Sequence, residues 1–287
     1  MRASERAAPE TVRSMVIDGQ RLRVAVRPAR PARPAARAGQ YDPPARPPLL
    51  LMNGIGASLD LLQPFADALS PQTAVIRFDV PGVGGSPLPR RPYRFTGLSR
   101  LVASLLTALG HQEADVLGIS WGGGLAQHFA AFQRARCRRL VLVSTATGAL
   151  MVPARPAVLA QMITPRRYLD RQYLSRVAGD LYGGSARHDG ARIAAQMHAS
   201  SRVGSAQGYL YQLAAGAGWT SVPFLPFVRQ PTLILSGDDD PLIPLANARL
   251  MRALIPGARL HVYHGGHLAL VTEAATLAPV IEDFLTE

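Results

Sequence analysis

The chain has 287 residues, 48% of them hydrophobic, with a mean hydropathy of +0.08 and a formal charge of +12. That is enough for one large α/β domain with a smaller inserted lobe. No segment approaches the 18 or so uninterrupted apolar residues of a membrane span. The single cysteine, Cys137, excludes an internal disulfide framework and fits a reducing cytosol. It stands among Arg134, Arg136, Arg138 and Arg139, which could lower its pKa, but it precedes the strand at 140–143 and reads as a packed or exposed thiol.

The N-terminus opens Met1-Arg2-Ala3-Ser4-Glu5-Arg6, without the apolar core of a secretory signal. Residues 12–26 read as a hairpin, with strands at 14–17 and 21–26 around a turn at Asp18-Gly19. The tract at 28–47 is Arg/Pro/Ala-rich and of low complexity, too rich in proline for a helix or a central strand. It reads as a solvated linker, with an electrostatic tether to an anionic surface as the alternative. All 31 basic residues are arginine, and +6 of the +12 falls within residues 1–50. No aromatic interleaving, zinc spacing or basic recognition helix accompanies the charge, so nucleic acid is not an expected partner.

A solidly apolar strand is expected at 48–52, ending in Asn53-Gly54-Ile55-Gly56. A helix over 61–69, a strand at 73–78 and an amphipathic helix over 96–109 follow. Further strands are expected at 115–117, 140–143, 231–235 and 259–263. Strand and helix alternate, and apolar strands of this kind belong to a mostly parallel sheet with helices on both faces. The interval 147–228 breaks the rhythm, with candidate helices at 158–163, 169–181, 191–199 and 206–214. It reads as a helical cap inserted into a core made of 12–146 and 229–287. An independent second domain would have flanking linkers.

Gly118-Ile119-Ser120-Trp121-Gly122 stands between an apolar strand and a helix beginning Gly122-Gly123-Gly124. G-x-S-x-G at that junction is the nucleophile elbow, a turn too tight for flanking side chains. A bare G-x-S-x-G is a weak signal among 26 glycines; strand, turn and helix in register make it specific. A nucleophilic serine needs a base, and the base an orienting acid, which in elbow proteins follow in the order acid, histidine. Within Gly237-Asp238-Asp239-Asp240-Pro241-Leu242-Ile243-Pro244, Asp240 is the candidate acid, while Asp238 and Asp239 cap the turn and face water. The segment Ser144-Thr145-Ala146-Thr147-Gly148 offers no acid at the other common position. An acidic cluster can also hold a divalent cation, but the EF-hand spacing is missing.

Gly265-Gly266-His267 supplies the base, with His264 as fallback and His261 as a strand side chain. His261, His264 and His267 mimic a metal row, yet i and i+3 on an extended chain face opposite ways. His111, His128, His188 and His198 read as surface or packing residues. The N–H groups of Ile55 and Trp121 are the expected oxyanion donors. Asp79-Val80-Pro81-Gly82-Val83-Gly84-Gly85-Ser86 would shape the base of the site. Gly54-x-Gly56 with Asp79 downstream also imitates a dinucleotide fingerprint, but Leu59 occupies the third glycine position and would crowd a pyrophosphate.

Together these residues resemble the α/β-hydrolase superfamily. Phe78-Asp79-Val80-Pro81-Gly82-Val83-Gly84-Gly85-Ser86, Gly118-Ile119-Ser120-Trp121-Gly122-Gly123, Gly218-Trp219-Thr220-Ser221 and the Gly237–Pro244 string are similar to those of the intracellular poly(3-hydroxyalkanoate) depolymerases. The resemblance runs over about residues 12–285, with the 28–47 tract as an insertion. It implies a serine hydrolase without metal or organic cofactor, acting on medium-chain-length storage polyester at granules in the cytoplasm. Ser120, His267 and Asp240 would then be nucleophile, base and orienter. Asn53 and Trp219 would touch substrate, and Met151, Met162, Tyr168, Tyr173 and Phe224 of the cap would suit alkyl side chains or a granule surface. A 3-hydroxyacyl transferase or thioesterase, and a non-catalytic granule protein, are the alternatives.

Overall fold

The alternating residues near the N-terminus fold as a hairpin, β1 (Thr11–Ile17) and β2 (Gln20–Arg27), paired from Thr11↔Val26 to Ile17↔Gln20. Asp18 and Gly19 make its turn at φ of 48° and 75°, the left-handed pair that matches the twist of the flanking strands. The computed structural model describes residues 10–30, 46–200 and 204–287. The readings made on residues 1–6 and on the body of the Arg/Pro/Ala tract lie outside the described residues.

Six more strands follow: β3 (Leu49–Met52), β4 (Val75–Phe78), β5 (Ala114–Ile119), β6 (Cys137–Val143), β7 (Thr232–Gly237) and β8 (Arg259–Tyr263). The sheet order is β1-β2-β4-β3-β5-β6-β7-β8, parallel throughout except for the hairpin and its β2–β4 pairing. Alternate residues of the central strands enter opposite cores, as a period of two requires. Leu49, Leu51, Leu117, Val141 and Leu233 face one side, where α1 (Gln63–Ala68), α10 (Ala269–Thr272) and α11 (Ala274–Thr286) pack. Leu50, Val116, Leu140, Leu142 and Ile234 face the other, covered by α2 (Phe95–Ala108), α3 (Trp121–Phe132) and α9 (Leu245–Leu254).

Among the described residues, five α-helices lie between β6 and β7: α4 (Pro156–Ala160), α5 (Arg166–Leu169), α6 (Arg171–Tyr182), α7 (Gly190–Ser200) and α8 (Ala206–Gly216). An antiparallel bridge between Gly148 and Thr220 ties the segment where it leaves and where it returns. Tyr168, Leu174, Leu181 and Tyr209 of this segment share one apolar core with the sheet. The helix expected at 169–181 is α6, which starts two residues later because Asp170 leaves helical geometry and its carboxylate caps α6 by accepting the Tyr173 N–H at 2.8 Å. The helix expected at 61–69 begins with a tighter turn at Leu59–Leu62, and α1 carries Pro64 in its first turn. β6 begins at Cys137 itself, so this thiol is buried in the strand. Burial pushes its pKa up, and the neighbouring arginines do not activate it.

Candidate active site

The strand β5 ends and α3 begins at one residue, Ser120, held at φ 54° and ψ −122°. That conformation is costly for any residue with a side chain and persists only where the surroundings enforce it. They do so through the flanking glycines: a Cβ on Gly118 would stand 2.4 Å from the Gly122 carbonyl oxygen, and one on Gly122 would stand 2.1 Å from that of Met52. The Ser120 N–H still donates to Val143 O at 3.0 Å, continuing the sheet. Its carbonyl accepts from the Gly123 N–H at 2.9 Å and the Thr145 hydroxyl at 2.7 Å.

The loops after β7 and β8 bring Asp240 and His267 together. Asp240 Oδ2 lies 2.8 Å from His267 Nδ1, and both residues are buried, at 6% and 4% exposure. The other carboxylate oxygen accepts the N–H groups of Leu242 at 3.0 Å and Ile243 at 2.8 Å, so the acid has one orientation. The His267 N–H donates to Tyr182 O at 2.7 Å, and the Tyr182 ring stacks on the imidazole at 6.1 Å and 13°. With Nδ1 committed to the carboxylate, Nε2 is the nitrogen left for chemistry. His267 and Ser120 line one cavity.

The neighbouring candidates do other work. Exposed His264 places Nδ1 3.1 Å from Asp238, whose carboxylate raises its pKa. His261 sits in β8. Asp238 and Asp239 clasp adjacent loops: Asp238 accepts the Gly265 N–H at 3.1 Å, and Asp239 accepts the Gly184 N–H at 2.8 Å and pairs with Arg187.

Opposite the elbow runs the loop 53–59. A Cβ on Gly54 would stand 3.6 Å from the Ser120 Cβ and 4.0 Å from its Oγ, so the loop passes directly beside the hydroxyl. Asn53 lines the cavity, but its amide is spent within the loop, donating to Ser58 O at 2.6 Å and accepting the Gly54 N–H at 2.8 Å. Beneath the loop, buried Asp79 accepts the N–H groups of Leu59 at 2.5 Å and Gly85 at 2.7 Å, and burial raises its pKa. The Ile55 carbonyl accepts from the Tyr168 hydroxyl at 2.8 Å and from Arg167 Nη2 at 3.3 Å. The following N–H, of Gly56, donates to Gln212 Oε1 at 2.7 Å. The carbonyl of the same Gln212 accepts from the Trp121 indole at 2.9 Å. Trp121 opens α3, where the first N–H groups have no acceptor inside the helix.

Trp219 stands away from this cavity. Its indole faces His128 Nδ1 at 3.3 Å, and its ring packs edge-on to Phe95 at 4.7 Å. Of the apolar residues between β6 and β7 named from the sequence, Met162 and Tyr168 line the cavity. Arg167, Tyr182 and Gln212 carried no local signal. Each is made important by a partner more than 80 residues away in the chain.

Residues 47–274 match the model of the alpha/beta hydrolase fold family. The chain is also 48% identical, over 97% of its own length and 94% of the relative's, to the poly(3-hydroxyalkanoate) depolymerase of Ectopseudomonas oleovorans. It belongs to the alpha/beta hydrolases, in the poly(3-hydroxyalkanoate) depolymerase family. A more distant relative is 3-oxoadipate enol-lactonase 2 of Acinetobacter baylyi, 27% identical over 86% of this chain and 90% of that one. Among solved structures, the enol-lactonase of Burkholderia xenovorans LB400 superimposes with a TM-score of 0.78, at 23% identity, over 96% of this chain and all of that one. At that identity the likeness carries the fold alone. Among the described residues no helix is long and apolar enough to cross a membrane.

Proposed function

We propose that this alpha/beta hydrolase cleaves the ester bonds of poly(3-hydroxyalkanoate), with Ser120 as nucleophile, His267 as base and Asp240 as its orienter. The observation that carries the reading is the buried Asp240–His267 hydrogen bond of 2.8 Å, facing the cavity into which the strained elbow presents Ser120. The name of the 48%-identical relative supports the substrate class.

Ser120 Oγ attacks an ester carbonyl while His267 Nε2 takes its proton, and Asp240 stabilises the imidazolium. The N–H groups of Ile55 and Trp121 receive the negative charge on the carbonyl oxygen. His267 then returns the proton to the departing alkoxide, and water releases the acyl group as a 3-hydroxyacid or short oligomer. Medium-length alkyl side chains suit the apolar wall of Leu61, Leu62, Met162, Met197, Leu242 and Val271. The segment 147–228 serves as a cap over the site. Leu150, Ile163, Leu169 and Leu210, each more than half exposed on that segment, suit contact with a hydrophobic storage granule in the cytoplasm.

The test is acid release from suspensions of medium- and short-chain polyester, beside p-nitrophenyl ester and acyl-CoA turnover. The medium-chain polymer should be hydrolysed, and Ser120→Ala should lose about 10⁴-fold or more of kcat. Turnover of acyl-CoA with no acid released from any polymer would overturn the reading.

A further inference from the structure

We infer that Arg167 is the receptor for the free carboxylate at the end of the polyester chain, so that the enzyme removes units from that end. The inference rests on the polyester reading above and decides between terminal and internal cleavage.

Arg167 is 1% exposed and lines the same cavity as Ser120 and His267. Its surroundings are Tyr168, Tyr182, Tyr209 and a main-chain oxygen. Nη1 donates to the Tyr209 hydroxyl at 2.8 Å and Nη2 to Ile55 O at 3.3 Å. The guanidinium lies 4.6 Å from the centre of the Tyr168 ring and 5.3 Å from that of Tyr209. Nε is buried and has no hydrogen-bond partner. Among the described residues no carboxylate stands within 4.0 Å of it, whereas the adjacent Arg166 is exposed and pairs with Asp170.

A guanidinium stays charged in any protein environment, and a buried charge without a counter-ion is expensive. A structural clasp on Ile55 would not need that charge, since the Tyr168 hydroxyl already holds the same carbonyl. The planar fork of an arginine matches a carboxylate, and within a site that excludes water such a pair is strong. The anion therefore belongs to the ligand.

A linear 3-hydroxyalkanoate oligomer carries one anion, at its carboxyl end, separated from the last ester oxygen by two carbons. With that carboxylate on Arg167, the last ester bond falls within the same cavity as Ser120. Ser120 Oγ bonds to the carbonyl carbon of the penultimate unit. The bond from that carbon to the terminal unit's 3-oxygen breaks, and this oxygen takes the proton that His267 removed from Ser120. The terminal unit leaves as a 3-hydroxyacid. Water then splits the acyl-enzyme, restores the Ser120 hydroxyl and leaves a chain one unit shorter, with a new carboxyl end.

The test uses the purified full chain with a linear 3-hydroxyoctanoate tetramer bearing either a free carboxylate or a terminal carboxamide. The acid should be cleaved at least tenfold better in kcat/KM, with monomer and trimer as first products. Arg167→Met should bring the ratio toward one, and Arg167→Lys should keep part of it. Equal cleavage of the two tetramers, dimers as the first product, or equal loss on both in Arg167→Met would overturn the inference. If neither tetramer is cut while a p-nitrophenyl ester is, the polyester reading fails, and inhibition of that ester's hydrolysis judges Arg167. Octanoate inhibiting at least tenfold better than octanamide, with the margin lost in Arg167→Met, supports the carboxylate site; equal inhibition overturns it.

Discussion

Replacing Asp240 with asparagine separates the orienting role proposed for the carboxylate from its shape. One oxygen of Asp240 accepts two main-chain N–H groups, from Leu242 and Ile243, and the other faces His267 Nδ1 at 2.8 Å. An asparagine must put either its oxygen or its NH₂ against those two N–H donors. Turning the NH₂ toward them would orphan two donors at a buried site, at about 1–3 kcal/mol each. The amide therefore keeps its oxygen there and presents N–H to His267. That forces Nδ1 to become an acceptor and moves the ring proton to Nε2, which then cannot take the proton of Ser120. The expected loss in kcat is about 10⁴-fold, or about 5 kcal/mol of transition-state stabilisation. KM and the melting temperature should stay near those of the unmodified enzyme, since size and main-chain contacts are kept. The assay is saturation kinetics on a soluble p-nitrophenyl ester. An Asp240→Asn enzyme within about tenfold of the parent kcat would refute the tautomer argument.

Gln212→Met removes the acceptor of the Gly56 N–H but keeps the main-chain carbonyl that holds the Trp121 indole. With the loop 53–59 carrying the proposed oxyanion donor Ile55, its slackening should cost about tenfold in kcat with little change in KM, a split read from the same kinetics. His128 should make the fold acid-sensitive. Burial lowers its pKa from 6.5 to about 4, so between those values the unfolded chain binds a proton that the folded chain refuses. Stability is then full above pH 6.5 and declines as the pH falls toward 4. Thermal unfolding across that range should show a shallower decline in His128→Phe than in the parent, and parallel declines would exclude His128 as a source.

The sheet could be read from the chain because its strands are short apolar runs with turn signals between them. β8 has the bounds that its sequence pattern predicts, and β3, β5 and β7 lie within one or two residues of theirs. The elbow was equally legible, since its geometry demands glycine at two fixed offsets from Ser120. What escaped were residues whose meaning lies in distant contacts. Arg167 is one of 31 arginines, and only its burial separates it from Arg166 beside it. Asn53 suggested a substrate contact by its position, yet its amide is consumed in bracing its own loop. Trp219 suggested a cap residue over the substrate and instead packs with Phe95 of α2 and His128 of α3. Asp170 carries no cap signal of its own in the sequence, because a capping aspartate and a helical surface aspartate look the same when the apolar spacing continues across both.

The grip of Arg167, Tyr168 and Gln212 on the loop beside Ser120 makes the β6–β7 segment something like a safety catch. Raising that segment would free the Ile55 carbonyl, the Gly56 amide and the Trp121 indole at one stroke. With Ile55 and Trp121 as the proposed oxyanion donors, that release would leave the serine in place and slacken the groups on either side of it.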